Sequence, residues 1–281
     1  MQKMPAKYYA FFTLPTLIAF LLAFFIPFLL GIYLSFNTFT TVTNARWAGL
    51  TNYVRAFAED HNFLNATIFT AKFAVVSVIL INVFAFSLAL LLTRKMRGEN
   101  GFRTVFFMPN LIGGIVLGYI WLLIINGILI NFGYDITFSA KFGFWGLVVV
   151  TNWQMIGYMM IIYIAGILAI PRELMEAAKI DGANSWQILK GITIPMVMPA
   201  ITICTFLTVA NSFKLFDQNL ALTAGAPGRA SAMMALDIFT TFYNRNGYEG
   251  VGQAKALVFT VIVAIIVLIQ LFFSRRRELE S

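Results

Sequence analysis

Long apolar stretches, separated by short polar segments, run along the whole chain. A helix needs about 20 apolar residues to cross the hydrocarbon core of a bilayer, and six stretches reach that length. They are Tyr9–Phe36, Lys72–Leu92, Thr104–Ile125, Phe144–Ile170, Ile194–Phe213 and Val251–Phe273. Their central parts contain no Asp, Glu, Lys, Arg or His. The pattern predicts an all-α polytopic membrane protein, in which residues 1–281 form a single transmembrane domain with six spans.

Particular residues within the spans predict kinks or close packing. Proline removes a helix hydrogen bond, so we expect a kink or an unwound turn at each proline of a span. These prolines are Pro15, Pro27, Pro109 and Pro199. Gly113, Gly114 and Gly118 predict close helix approach. Lys72 and Lys255 lie near span ends, where the aliphatic stem stays in lipid while the ammonium group reaches the interface.

The distribution of charge predicts which side of the membrane each segment faces. Only 11% of the residues are charged, against about 25% in soluble domains. We therefore attribute the net charge of +8 to loops that set orientation, and not to nucleic-acid binding. Basic residues are densest in Met1–Tyr8, Thr93–Arg103, Pro171–Thr193 and Ser274–Ser281. The positive-inside rule places these segments, and so both termini, in the cytoplasm.

The two longer segments, Asn37–Ala71 and Lys214–Gly250, then face outward. They are rich in Asn, Thr, Gly and aromatic residues, which predicts structured loops that offer a docking surface. His61 is the single histidine of the chain, and we interpret it as a solvated loop residue.

The candidate chemistry is sparse, and this limits the function. The Gly-Lys pair of a phosphate-binding P-loop occurs nowhere in the sequence. The spans lack the carboxylate or histidine that a proton relay needs. Cys204, the single cysteine, lies in an apolar run, and no metal-ligand cluster is present. The sequence therefore predicts neither an enzyme nor a metal site, and favours a transporter without its own power source.

The polar segment 171–193 predicts a short helix between two spans. Pro171 suits the first turn of a helix, and Glu173 and Glu176 are favourable near its positive end. Gly182 can adopt the left-handed conformation that ends a helix. Asn184 or Ser185 can then cap a second helix at 186–190.

One face of the first helix is suited to close contact with a partner. It carries Leu174, Ala177, Ala178 and Asp181, which recur at spacings of three and four. On these residues alone, a docking helix and an ordinary connecting loop are equally good interpretations.

The same segment carries a motif. Glu176-Ala177-Ala178, then Gly182, then Ile192-x-Ile194-Pro195 resembles the EAA motif of ABC importer permeases. Asp181-Gly182-Ala183 matches its usual extension. The spacing is kept, and the one departure is Ile194 in place of leucine.

Further segments resemble one branch of that family, the maltose-type, first-subunit permeases of carbohydrate ABC importers. They are Trp47-Ala48-Gly49-Leu50-x-Asn52-Tyr53, Arg103-x-x-x-Phe107-x-Pro109, Leu215-Phe216-Asp217 and Leu222-Thr223-Ala224-Gly225-Ala226-Pro227. The chain is similar to the shorter six-span members, which lack extra N-terminal helices and a large outward domain.

The resemblance implies a fold, a location and a set of partners. The fold is that of a type I ABC importer permease with a cytoplasmic coupling helix, in the bacterial cytoplasmic membrane. The partners are a second, homologous permease, two ATPase subunits that hold ATP and Mg, and an extracytoplasmic solute-binding protein that delivers a sugar. No cofactor is expected on this chain. The resemblance assigns coupling to the ATPase to Glu176, Ala177, Ala178, Asp181 and Gly182.

Polar positions at helical spacing mark a candidate substrate path. A neutral sugar needs hydroxyls, amides and rings at membrane depth, and buried polar groups should point inward. The candidates on the fourth span are Thr151, Gln154, Met155 and Tyr158, and those on the fifth are Thr208, Asn211, Ser212 and Leu215. Hydrogen bonds between spans are the alternative interpretation of these residues.

Three other functions stay open at this point. The first is a permease subunit of an ABC importer for a non-sugar solute. A charged cargo predicts charged residues along the path, and the sequence places none there. The second is a self-contained carrier or channel, and the third a structural membrane scaffold.

Overall fold

The computed structural model describes the backbone of residues 6–94 and 96–279, and the side chains of residues 11–94 and 96–272. Lys95 and the first five residues, which contributed to the predicted orientation, lie outside the described part. The α-helices are α1 Ala6–Phe20, α2 Ile26–Ser35, α3 Thr51–Val54, α4 His61–Leu92, α5 Glu99–Phe107, α6 Gly114–Leu129, α7 Ala140–Leu168, α8 Arg172–Ile180, α9 Ser185–Ile188, α10 Ile194–Met196, α11 Met198–Lys214, α12 Asp217–Leu222, α13 Met234–Asn244 and α14 Glu249–Leu279.

Shorter elements join these helices. One antiparallel pair of strands is present in the described chain, β1 Asn37–Thr38 with β2 Arg46–Trp47. The π-helical turns are Leu21–Phe25, Arg55–Glu59 and Leu189–Thr193, and the 3₁₀ turns are Val42–Asn44, Met108–Leu111 and Ile130–Phe132.

Five of the six predicted membrane-spanning helices are confirmed, with different ends. Within the described residues, five helical stretches are long and apolar enough to cross a bilayer. They are Phe11–Ser35, His61–Leu92, Gly114–Phe132, Ala140–Leu168 and Glu249–Phe272. The number is six if the bent pair Ser185–Met196 with Met198–Lys214, whose axes meet at 68°, counts as one broken span. The all-α fold class is therefore confirmed, while the single transmembrane domain stays a prediction.

Proline explains the largest difference in the third span, which was predicted to begin at Thr104. Pro109 lies in the 3₁₀ turn 108–111, and Gly113 follows in an extended conformation. Residues 99–107 form the separate helix α5, and the apolar helix α6 begins only at Gly114. The expected local unwinding is thus confirmed at Pro109. It is confirmed also at Pro199, beside the 68° bend, whereas α1 continues through Pro15.

Burial separates the spans into two kinds. In α7, 67% of the most apolar 18-residue segment is buried inside the protein, so this helix lies in the core. In the spans 11–35 and 249–272 the buried share is only 6%, and their apolar side chains face outward from the described chain. Apolar surface of that extent is stable only against lipid or another protein.

The described chain groups into two compact units, and each is described separately. The first comprises residues 1–63 and 238–260. In it, the amide of Asn52 donates to the carbonyl oxygens of Ser35, at 3.0 Å, and Asn37, at 2.8 Å. The ring of Phe36 stacks on Trp47 with centroids 5.8 Å apart. These contacts fix the strand pair and α3, which confirms that this part of the segment 37–71 is structured; its outward orientation stays a prediction.

Lys255 has a different role from the predicted one. Its side chain is fully buried and does not extend to the membrane interface. Its Nζ donates to Asp60 Oδ2 at 2.9 Å and to Thr241 Oγ1 at 2.8 Å. Arg245 Nη1 donates to the same carboxylate oxygen at 2.6 Å. Burial acts to raise the pKa of Asp60, but hydrogen bonding and charge from Lys255, and the charge of Arg245, outweigh it and lower that pKa.

The second unit comprises residues 64–237 and 261–281, and glycines set its closest helix contacts. A Cβ at Gly114 would lie 2.7 Å from Asp217 Cβ, and a Cβ at Gly118 would lie 2.8 Å from Ala221 Cβ. These two glycines let α6 and α12 approach closely, as predicted. Gly113 has nothing within 4 Å of its Cβ position in the described structure, so its predicted packing role is wrong.

Candidate translocation cavity and the loop 171–193

A polar cavity of about 390 Å³ lies within the second unit. This volume is in the range of about 300–1,000 Å³ that is typical of small-molecule sites. Its lining comes from the break before α6, from α7, from the end of α11 and from the start of α12. The lining residues are Asn110, Gly114, Thr151, Gln154, Met155, Tyr158, Asn211, Lys214, Leu215, Phe216, Asp217 and Gln218.

The structure brings most of the predicted path residues to this one cavity. All four candidates on α7 line it, namely Thr151, Gln154, Met155 and Tyr158. From the fifth span, Asn211 and Leu215 also line it. Thr208 and Ser212 are buried and are not among its described lining residues.

Hydrogen bonds fix the amide groups of one cavity wall. Gln218 Nε2 donates to Gln154 Oε1 at 2.6 Å, and Gln154 Nε2 donates to the Ile112 carbonyl at 3.0 Å. The Gln154 side chain therefore ties α7 to α12 and to the break before α6. By contrast, the buried hydroxyl of Thr151 has no hydrogen-bond partner among the described residues. A buried hydroxyl without a partner is costly, so this oxygen is suited to bind a ligand in the cavity.

Two charged side chains line the cavity, which corrects the sequence-based expectation of an uncharged path. Lys214 is the last residue of α11, and Asp217 is the first residue of α12. No ion pair within 4 Å joins them in the described part of the chain. The sequence placed both in an outward loop, but α11 and α12 meet in a turn at the cavity, so both face it.

Other lining residues were also missed by the sequence analysis. They are Asn110, Gly114, Phe216 and Gln218. A signal was available for the last two, because Leu215-Phe216-Asp217 directly follows the fifth span and is polar beyond it. Asn110 lines the cavity because the 3₁₀ turn at Pro109 places its polar side chain in the wall next to Gly114.

Thr208 belongs to a network that joins three spans. Asn82 Nδ2 donates to Thr208 Oγ1 at 3.0 Å, and Tyr163 Oη donates to Asn82 Oδ1 at 2.6 Å. Thr208 Oγ1 in turn donates to the Cys204 carbonyl at 2.8 Å. For this residue the geometry matches the alternative interpretation, hydrogen bonding between spans.

The loop 171–193 forms the two helices that the sequence predicted. The first is α8, and Gly182 follows it with φ of +78°, the left-handed conformation that ends a helix. Asn184 caps α9 through a reciprocal pair of bonds, in which Gln187 N donates to Asn184 Oδ1 at 2.9 Å and Asn184 N donates to Gln187 Oε1 at 2.7 Å. Asn184, and not Ser185, is therefore the N-cap.

The outer surface of this loop exposes large apolar side chains. Leu174 is 45% exposed, Ile180 86% and Trp186 68%. Glu176 and Ala177 are exposed beside them, and Ala178 is half-buried. Exposed apolar side chains of this size on a polar loop are suited to contact with a partner.

Comparison with known sequences identifies the family. The profile of the binding-protein-dependent transport system inner membrane component family matches residues 97–279. The chain belongs to this family. As a member of the inner membrane component family with apolar spanning helices, it is a multi-pass membrane protein.

Curated relatives of this inner membrane component match nearly its whole length. It is 46% identical, over 97% of its length and 96% of the relative, to the "Probable starch degradation products transport system permease protein AmyD" of Thermoanaerobacterium thermosulfurigenes. It is 27% identical, over 99% of both chains, to the multiple sugar-binding transport system permease protein MsmF of Streptococcus mutans serotype c.

Solved structures confirm the fold of this inner membrane component. A chain from a bacterial ABC transporter involved in the import of the acidic polysaccharide alginate has a TM-score of 0.80 and 22% sequence identity. The match covers 96% of this chain and 95% of that chain. A chain of the MetNI methionine ABC transporter matches with a TM-score of 0.57 and 16% identity, over 76% of this chain and 95% of that one. The type I importer permease fold is therefore the fold of this protein.

Proposed function

We propose that this chain is a permease subunit of an ATP-driven carbohydrate importer. It forms half of the sugar translocation pathway and couples to a separate ATPase through the loop 171–193. Family membership and the 46% identity to a permease for starch degradation products support the cargo class. The observation that carries the proposal is the cavity on α7, which collects amides, hydroxyls and aromatic rings at one place.

The chemistry of this cavity fits a neutral, hydroxyl-rich solute. Asn211 and the unpartnered hydroxyl of Thr151 supply hydrogen-bonding groups, and the ring of Tyr158 offers a face for stacking. Lys214 and Asp217 carry opposite charges, so together they add no net charge to the lining. Their ammonium and carboxylate groups bind sugar hydroxyls as strong donor and acceptor. In this proposal the path also includes Gln154, Met155 and Leu215, with Thr208 and Ser212 supporting the helix behind them.

Coupling is assigned to the exposed side of α8. Glu176, Ala177, Ala178, Asp181 and Gly182 form the segment that docks on the ATPase. The small alanines permit close approach, while Ile180 supplies apolar contact area. When the ATPase dimer closes on ATP, it moves α8. The spanning helices then move with α8 as rigid bodies, from the inward-facing to the outward-facing state.

The rest of the assembly follows from this assignment. The chain performs no catalysis, and the partner ATPase subunits hold ATP and Mg. A second, homologous permease supplies the other half of the pathway, and an extracytoplasmic binding protein delivers the sugar. Both termini and the loop 171–193 face the cytoplasm.

Uptake by the reconstituted importer tests the proposal. Thr151→Val removes one hydroxyl from the cavity. Thr202→Val removes a hydroxyl whose hydrogen bond in the described structure, to the Met198 carbonyl, stays within its own helix. Loss of one substrate hydrogen bond is expected to lower kcat/KM for malto-oligosaccharide uptake about 3- to 10-fold in Thr151→Val. Thr202→Val is expected to match the wild type. Equal uptake by both variants would contradict the assignment of this cavity.

A further inference from the structure

A second cavity, of about 790 Å³, lies beside the cytoplasmic loop within the second unit. It is bounded by the ends of α4 and α7 and by the loop that contains α8 and α9. Its lining residues are Leu90, Thr93, Arg94, Ile167, Leu168, Ile170, Arg172, Met175, Lys179, Ser185, Trp186, Ile188, Leu189 and Thr193. Neither the sugar path nor the exposed docking side of α8 accounts for it.

The charge of this cavity is entirely positive. Arg94, Arg172 and Lys179 line it, and no carboxylate is among the lining residues that the structure describes. None of these three cations has an ion-pair partner within 4 Å in the described part of the chain. Three unpaired cations around one cavity repel each other, so the site favours an anion.

The basic side of α8 lies opposite the side that carries Ala177. Arg172, Met175 and Lys179 recur at spacings of three and four, so they share one face, which lines the cavity. Ala177 lies on the opposite face of α8, whereas Glu176 is four residues from Arg172 and three from Lys179 and therefore borders the basic face. An anion in the cavity therefore contacts α8 on the side away from Ala177, and Glu176 stays exposed at the edge of the basic face.

The opposite wall of the cavity is apolar and continues two membrane-spanning helices. Leu90 lies near the end of α4, and Ile167 and Leu168 end α7. The ends of spanning helices lie at the depth of the lipid headgroups. Trp186, which is 68% exposed, lines the same cavity, and tryptophan is typical of this zone of a membrane.

We propose that this cavity binds the headgroup of an anionic phospholipid from the cytoplasmic leaflet. The cations pair with its phosphate, and its acyl chains run along Leu90 and Leu168. The apolar wall favours a lipid over an acidic protein segment, because acyl chains cover an apolar surface that continues into the bilayer and an acidic segment does not. The bound lipid supports α8 from behind. Its effect on transport rests on the coupling function proposed above, whereas the binding itself does not.

Lipid binding to the full chain tests the proposal. The chain is placed in phosphatidylcholine nanodiscs, and bound phosphatidylglycerol is counted by native mass spectrometry as its fraction is raised. We expect phosphatidylglycerol to be preferred at least about tenfold, and each neutralised cation to lower its affinity about fivefold. The variants are Arg94→Gln, Arg172→Gln and Lys179→Gln, singly and together.

Two exposed basic residues of the same loops provide a matched control. Arg97→Gln and Lys190→Gln each remove one positive charge, as each of the three test substitutions does. Arg97 and Lys190 are not among the described lining residues of the cavity. We expect the control pair to bind phosphatidylglycerol like the wild type. If the triple variant also binds like the wild type, or if phosphatidylcholine binds equally well, the proposal is overturned.

Two further arms separate the lipid from other anions. Free glycerol phosphate is expected to compete weakly, and equal competition would mean that the acyl chains contribute nothing and would overturn the lipid assignment.

Association with the ATPase is measured without anionic lipid, and we expect the triple variant to keep it. Loss of that association with unchanged lipid binding would show that the cations serve a protein. Lipid binding without any ATPase association would instead overturn the proposed coupling function alone.

Discussion

Lys255 Nζ lies 2.9 Å from Asp60 Oδ2, and both side chains are buried. Arg245 shares the same carboxylate oxygen at 2.6 Å from its more exposed position. A buried charge is tolerated only when it is paired and hydrogen-bonded, so each of these groups depends on the others. The pair joins the segment before α4 to the first turns of α14 within the first unit.

Asp60→Asn is expected to destabilise the protein by about 3–5 kcal/mol, because it leaves the Lys255 ammonium group buried without a counter-charge. Chemical unfolding in detergent measures the change. Glu59→Gln is the control, since Glu59 is the adjacent acid and its only ion pair, with Arg55 at 3.9 Å, is exposed in the described structure. Similar stabilities for the two variants would contradict the structural role of the pair.

The pH dependence of stability has a defined sign. The pKa of Asp60 lies below its ordinary value of 3.8, so the pair stabilises the fold above that value and is lost as the pH falls through the lowered pKa. Between about pH 8 and pH 5 the stability difference between wild type and Asp60→Asn is therefore expected to stay constant. It should shrink only in acid below about pH 3.8. Thermal melting of both proteins across this range measures it, and a difference that shrinks near neutral pH would contradict the assignment.

Gly157 is expected to tolerate no side chain. A Cβ there would overlap the carbonyl oxygen of Phe106, which belongs to the backbone of α5 and has little freedom to move. Gly157→Ala is expected to cost about 1–3 kcal/mol or more, as overpacking does. Gly127→Ala is the matched control, since nothing described lies within 4 Å of its Cβ position in α6. It should be neutral or stabilising by up to about 1 kcal/mol. Equal effects in melting experiments would contradict the close contact of α5 and α7.

Asn184 is expected to stabilise α9, the second helix of the loop 171–193. Asn184→Ala removes the side-chain acceptor for Gln187 N and should cost about 1 kcal/mol locally. Asn184→Asp keeps an acceptor and is expected to behave like the wild type. Amide hydrogen exchange at residues 185–188 measures the difference. Unchanged exchange in Asn184→Ala would show that tertiary packing, and not the cap, fixes α9.

The apolar pattern predicted most of the fold because each span must satisfy its own backbone within the lipid. It could not place the helix ends at Pro109, where a 3₁₀ turn and Gly113 separate two helices that the pattern joined. The buried position of Lys255 was not predicted, for another reason. Its partner Asp60 lies 195 residues away, and a local pattern does not show so distant a contact.

The candidate site was predicted in part for similar reasons. Helical spacing is a local property, so the α7 face from Thr151 to Tyr158 was found. Lys214 and Asp217 reach the cavity only because the chain turns between α11 and α12, and the sequence treated them as loop residues. Thr208 shares the spacing of the path residues, but its partner Asn82 lies 126 residues away in α4.

The central claim is that motion enters this membrane protein through α8. The most direct test measures the affinity of the ATPase subunit for the reconstituted permease pair carrying Glu176→Lys, together with sugar uptake. Glu59→Lys is the control, because it makes the same charge reversal in a segment assigned to the opposite side of the membrane. We predict at least about tenfold weaker ATPase association and no uptake in Glu176→Lys, with normal membrane insertion and an unaffected control. Normal association and uptake by Glu176→Lys would contradict the account.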